Sequence, residues 1–389
     1  MQPTPGAQRC AAAAMIAAAA ASVFAAPPPA PTFRLLGYTP NDGHVLRLSG
    51  VSADASVIAA TDSYRFRAIR WTLAAGLQDL PVPPNTGRDE QASAVSADGR
   101  TIVGSQDAYY GKYSTATCWR GSDVVTLGML PLAPNDNIPS SYALSASADG
   151  SVIVGKSSSV NATGGASEAF RWSAATGMVG LGFFPNATNR SSGANAVSVD
   201  GRVIVGYSSW GSGYGRAFRW TAETGMESLG YLPTPVDPSS SATVVSADGN
   251  VIAGYSTAGS WSTTHAFRWT PADGMQDLGN LPGVYPAIAV LGMSADGGIL
   301  VGGAGESPRL AFIWDTSHGL RRLDDMLRSD YHIDLGSWRL TEATGISPDG
   351  LTIVGNAQNG TDYRGFIVTL PEPSGGLAFA LIALIARRR

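Results

Sequence analysis

The chain has 389 residues, a formal net charge of −4, only 14% charged side chains and 47 glycines, and lysine is scarce. That balance excludes a basic nucleic-acid binder, and it lacks the charge density of a disordered acidic tail. Cys10 and Cys118 are the two cysteines; if Cys10 leaves with an N-terminal leader, the remaining thiol has no intramolecular partner.

Residues 1–25 read as a secretory signal. Arg9 supplies the positive flank, residues 11–24 form an Ala-rich apolar stretch, and Val23 and Ala25 stand where a signal peptidase reads small or tolerated residues. Residues 26–32 are a Pro-rich spacer that cannot continue a helix. Export is therefore expected, to the cell envelope, the surface or the extracellular space.

Residues 33–370 are built from seven imperfect copies of one unit of about 50 residues, anchored by Ser-x-Asp at Ser52/Asp54, Ser96/Asp98, Ser147/Asp149, Ser198/Asp200, Ser246/Asp248, Ser294/Asp296 and Ser347/Asp349. The fourth copy shows the grammar. A short alternating run, 196–199, meets the turn pair Asp200-Gly201. The β-branched run Val203-Ile204-Val205 follows and is closed by Gly206. Then come Ala217-Phe218-Arg219-Trp220, and Gly225-Met226 leading to Leu229-Gly230. This predicts four strands per copy, with a tight Asp-Gly hairpin between the first two. Trp71, Trp119, Trp172, Trp220, Trp269 and Trp314 fall at one position of the unit, as befits blade-to-blade packing. Arg70, Arg171, Arg219 and Arg268 precede four of them and can pair with a neighbouring blade.

The seventh copy has no fourth strand, while residues 33–40 look like one, compare Leu35-Leu36-Gly37-Tyr38 with Leu229-Gly230-Tyr231-Leu232. An N-terminal strand completing the last copy would close a ring and remove its exposed edge. The expected fold is therefore all-β: a seven-bladed β-propeller of four-stranded antiparallel blades, favoured over a linear β-solenoid. Ser-Ala-Asp-Gly-x-x-Ile-Val-Gly, His265-Ala266-Phe267-Arg268-Trp269 and Gly274-Met275 resemble the HAF repeat of bacterial extracellular proteins, and residues 323–346 resemble its terminal unit. The resemblance spans 33–368; it implies an extracellular repeat domain and brings no catalytic residues with it.

Residues 371–389 form the tail: Pro371-Glu372-Pro373, an apolar run, then Arg387-Arg388-Arg389. Eleven apolar residues rise only about 16 Å as a helix, short of a bilayer core. The arrangement resembles a PEP-CTERM sorting tail, which implies an exosortase-like sorting peptidase as partner and membrane contact only through this segment. A monomer is expected.

Strand order divides the ring into two faces. One carries the tight Asp-Gly turns. The other carries long loops, where function tends to lie on a rigid scaffold. Tyr109, Tyr110, Tyr113, Trp210, Tyr214 and Trp261 sit in those loops and could stack on sugar rings or bind a protein. His44, His265, His318 and His332 show no metal-ligand spacing, and no nucleophile elbow or phosphate loop is present. Asp324/Asp325 read as a solvated turn or helix start. No cofactor or metal is expected. The sequence points to a non-catalytic binding scaffold for an extracellular polysaccharide or surface protein; the alternative is a glycan-active lyase or hydrolase on the loop face.

Overall fold

Each copy begins with the same clasp. The serine hydroxyl donates to the aspartate Oδ1 at 2.5–2.8 Å in all seven copies. The same hydroxyl accepts the backbone N–H five residues on, at 2.8–3.0 Å. The aspartate Oδ1 also accepts the N–H two residues beyond it. The seven serines are almost fully buried, so these bonds form where an unpaired hydroxyl would be costly. The hydrogen bonds hold the Asp149 carboxyl down at about 2, those from Ser151 first and that from Ser147 after them.

The computed structural model describes residues 30–37, 44–82, 89–108, 113–132, 139–209, 215–233, 238–284, 287–306 and 309–372, with the side chains of 108 and 260–262 excepted. Residues Ala30–Pro371 form one compact unit. The expected signal segment and most of the expected sorting tail, with Pro373 and Arg387–Arg389, lie outside the described residues.

The clasped hairpins build seven four-stranded antiparallel sheets. Blades 1 to 6 span 46–79, 90–128, 141–182, 192–230, 240–279 and 288–322. Blade 7 takes three strands from 339–369 and its fourth from Thr32–Leu36. That N-terminal strand pairs Thr32 with Thr369 and Leu36 with Gly365, so the closure expected from the repeat grammar is present.

Two details differ from the sequence reading. Gly206 does not end its strand; the strand runs Ile204–Ser209. The glycine is there because the first strand carries a bulge between Ala194 and Ala196, and a Cβ at 206 would sit 2.0 Å from the Gly193 carbonyl oxygen. Gly104, Gly155, Gly254, Gly302 and Gly355 repeat this crowding. The second difference is at Asp324. It opens the helix Leu323–Ser329 in the link between blades 6 and 7, yet it is buried and held by Arg322 at 2.5 and 3.0 Å. Leu323, Met326 and Leu327 drive that burial by joining the cluster of Leu335, Leu340 and Phe366.

The core lies between blades. Phe170 and Trp172 of blade 3 pack with Val103 and Cys118 of blade 2 and with Leu130 of the link after it, and Phe267 of blade 5 packs with Val205 and Leu229 of blade 4. The repeated Trp thus serves blade packing; Trp119 also donates its indole N–H to the Pro81 carbonyl of the preceding link at 3.0 Å. Cys118 is free, fully buried at the position blades 1, 3, 4 and 5 give to arginine, and burial pushes its thiol up. Of the repeated arginines, Arg268 reaches the Gly297 carbonyl of the next blade at 3.3 Å, while Arg219 turns to Glu227 of its own blade at 4.0 Å.

Around the channel the turns are stitched to one another by backbone hydrogen bonds. Ala53 donates to the Ala97 carbonyl, Asp98 to Ala148, Ala148 to Val199, Val199 to Ala247, Ala247 to Ala295 and Ala295 to Pro348. Each donor lies one blade before its acceptor. Pro348 has no N–H to pass on, and among the described residues no such bond runs from blade 7 to blade 1.

Candidate functional site

The innermost strands run from the loop face toward the turn face, so alternate residues of each line a central channel. Its two mouths differ. At the turn face the lining is Val51, Val95, Ala146, Val197, Val245, Met293 and Ile346, with Ala and Pro348 of the turns, around about 180 Å³. Its side chains are apolar apart from Ser294, and none carries a charge.

At the loop face a larger cavity of about 450 Å³ opens where blades 6, 7 and 1 meet. Strand direction explains the grouping. Arg47 and Glu342 lie in the loop-side halves of innermost strands, Asn356 and Gln358 in the loop-side half of a second strand, Arg364 in that of a third strand, and Arg309 directly precedes the third strand of blade 6. Arg309 Nη1 donates to Glu342 Oε1 at 2.9 Å. Arg364 Nε donates to Asp362 at 3.1 Å, and its guanidinium lies 5.7 Å from the centre of the Trp338 ring. Gln358 Nε2 donates to the Tyr363 hydroxyl at 2.7 Å. Asn356 Oδ1 accepts the Leu48 N–H across the seam between blades 7 and 1 at 3.0 Å. The lining therefore holds three guanidinium groups and one carboxylate, with neutral donors between them.

Of the aromatic residues singled out from the sequence, Tyr113 is the one whose side chain lies among the described residues. Tyr113 begins the strand Tyr113–Arg120 of blade 2, half-buried, and does not line the cavity. Tyr109, Tyr110, Trp210 and Tyr214 lie outside the described residues, as does the side chain of Trp261. Three of the histidines pair with nearby aspartates: His44 with Asp62 at 2.8 Å, His265 with Asp277 at 2.9 Å and His318 with Asp315 at 2.9 Å. Burial acts to raise the Asp62 carboxyl, but hydrogen bonds from Arg65, His44 and the backbone hold it at about 2. No cluster of three or more metal-ligating side chains occurs among the described residues.

Sequence reasoning missed the cavity because its residues are departures from the repeat. Arg47 stands where the other blades carry Gln91, Tyr142, Gly193, Ser241, Ala289 and Glu342. Charged residues at this one register position, in blades 7 and 1, were the available signal.

No family model matches the chain, and no curated protein matches it in sequence. Solved structures match its fold. Oligogalacturonate lyase from Vibrio parahaemolyticus superposes with a TM-score of 0.53 at 9% identity, over 88% of this chain and 98% of that one. Virginiamycin B lyase from Staphylococcus aureus gives 0.53 at 13% identity, over 87% and 99%. TolB from Acinetobacter baumannii gives only 0.43 at 14% identity over 72% of this chain, which spans 63% of TolB's length, too weak a likeness to carry an argument. At such identities the lyases share the propeller fold with this chain, and fold alone does not carry function.

Proposed function

We propose that this chain is an exported, non-catalytic binding propeller of the cell surface or extracellular matrix, taking its ligand at the loop-face mouth. The observation that carries the reading is the contrast between the two mouths: one of about 180 Å³ lined by no charged side chain, and one of about 450 Å³ lined by three arginines and a glutamate from three blades. A rigid ring with a concave polar mouth is suited to binding. The Ala-rich leader, the HAF-like units and the Pro371-Glu372-Pro373 to Arg387-Arg388-Arg389 tail support export and surface sorting by an exosortase-like peptidase.

The test is a pull-down of extracellular polysaccharides on the purified chain, with products followed by mass spectrometry. Retention without new chain ends is expected, and retention should fall several-fold in Arg47→Gln. Unchanged retention in that variant would remove the loop-face mouth as the site.

One observation favours the second reading, a glycan-active lyase or hydrolase. The Tyr363 hydroxyl and the Glu342 carboxylate, groups able to move a proton, line the same cavity as the arginines. Product formation that is lost in Tyr363→Phe while retention persists would establish it.

A further inference from the structure

We infer that the loop-face cavity takes a carboxylate-bearing saccharide and that this ligand clasps the seam where the ring closes. The inference rests on the loop-face binding reading and names its ligand class.

Charge comes first. Arg47, Arg309 and Arg364 line the cavity with one carboxylate, Glu342, and a second, Asp362, is bonded to Arg364 from beside it, so one positive charge is left in formal excess. Two of the three arginines are held before any ligand arrives. Arg309 is fixed on Glu342 and Arg364 on Asp362, and each bond uses only part of the guanidinium. The remaining N–H groups form planar forks that match a carboxylate. Arg47 is exposed and meets no carboxylate among the described residues. It is the cation most in need of an anion.

The neutral groups point the same way. The Tyr363 oxygen already accepts from Gln358, so its own proton is available to donate. Asn356 spends its carbonyl oxygen on the Leu48 N–H, which leaves its amide N–H groups. A cavity so rich in donors suits a ligand rich in acceptors, with hydroxyl and ring oxygens around the carboxylate. About 450 Å³ is far more space than a bare ion fills, and it lies in the range of small-molecule sites.

Position gives the second half. Arg47 belongs to blade 1, Asn356, Tyr363 and Arg364 to blade 7, and Arg309 to blade 6. A ligand gripped by Arg47 and Arg364 together spans the seam that lacks the seventh backbone stitch at Pro348. Binding there should stabilise the closed ring through mass action.

The experiment is calorimetric titration of the full chain with disaccharides of galacturonate, glucuronate and mannuronate. Their methyl esters, cellobiose and sodium sulfate are run beside them. At least one uronate disaccharide should bind at least ten-fold more tightly than its methyl ester and should raise the melting temperature. Arg47→Gln should weaken binding at least ten-fold and abolish the thermal shift. Arg202→Gln, 84% exposed beside the blade 4 turn, should change neither. If the esters or cellobiose bind as well as the acids, loop-face binding stands and the carboxylate inference falls. Sulfate competing at equal concentration would reduce the site to a simple anion site and overturn the saccharide. No binding by any uronate, or full affinity in Arg47→Gln, would overturn the inference as well.

Discussion

Glu90 begins the first strand of blade 2, at the position Ser141, Ser192 and Ser240 hold in blades 3 to 5. Each serine hydroxyl donates to a glycine carbonyl of the preceding blade and accepts that blade's Ala N–H. Glu90 is fully buried instead, 3.3 Å from Arg67 Nε. Burial pushes its carboxyl up to about 7 against the lowering pull of Arg67, and Asp79 adds to the rise. Below about pH 4.5 the carboxyl is protonated whether the chain is folded or not. Between about 4.5 and 7 the unfolded chain gives up this proton while the folded chain keeps it, so stability falls as pH rises, and the loss is complete above 7. Glu90→Gln should remove this dependence. Urea titrations at pH 4.5, 6 and 7.5 should show the variant gaining on the parent with rising pH, by at most about 3 kcal/mol. A constant difference across that range would contradict the burial argument. Nothing in the sequence marks Glu90; it reads as one more polar residue in a connector, and only the apposition of blades 1 and 2 buries it.

At the scale of the element, the Ser-x-Asp-Gly turn was readable from the sequence because its requirements are local. The glycine after the aspartate has φ between 68° and 77° in six blades, and blade 1 places Ala55 there at φ 56°. An L-residue in that region costs about 1–2 kcal/mol, partly offset by the stiffer unfolded chain it gives. Ala55→Gly should therefore stabilise the protein by about 0.5–1 kcal/mol in chemical denaturation, and a loss of stability would show that the strain is absent. The reverse change at Gly150 meets a second obstacle that no local reading contains: a Cβ there lies 2.2 Å from Thr101 Oγ1 of the blade before. The strand interiors were harder to read for the same reason. Gly206 looked like a terminator because the bulge that crowds it sits on another strand.

For the whole molecule, the ring was legible through one comparison, residues 33–37 against the fourth strands of other blades, and the closing strand is found there. The charged cavity was not legible, because Arg47, Arg309 and Arg364 become neighbours only after the ring closes. The closing seam is also packed differently from the rest. Elsewhere an alanine of one blade's third strand meets an alanine or valine of the next blade's first strand, as Ala116 meets Ala143 and Ala217 meets Ala242. At the seam Leu48 takes the second role, and Gly365 leaves it room; a Cβ at 365 would lie 2.7 Å from the Leu48 side chain. Gly365→Ala should cost about 1–3 kcal/mol by overpacking and Leu48→Ala about 2–4 kcal/mol by the cavity it leaves. The double variant, which restores the alanine pair of other seams, should cost clearly less than the sum in thermal and urea melts; strict additivity would deny the size match. The pairing of Thr32 with Thr369 also sets how the ring meets mechanical force. Both chain ends leave blade 7 from the same end of an antiparallel pair, so tension between them separates Thr32 from Thr369 first and works toward Leu36 and Gly365 one rung at a time. The propeller would open under pull like a zipper rather than resist it in shear.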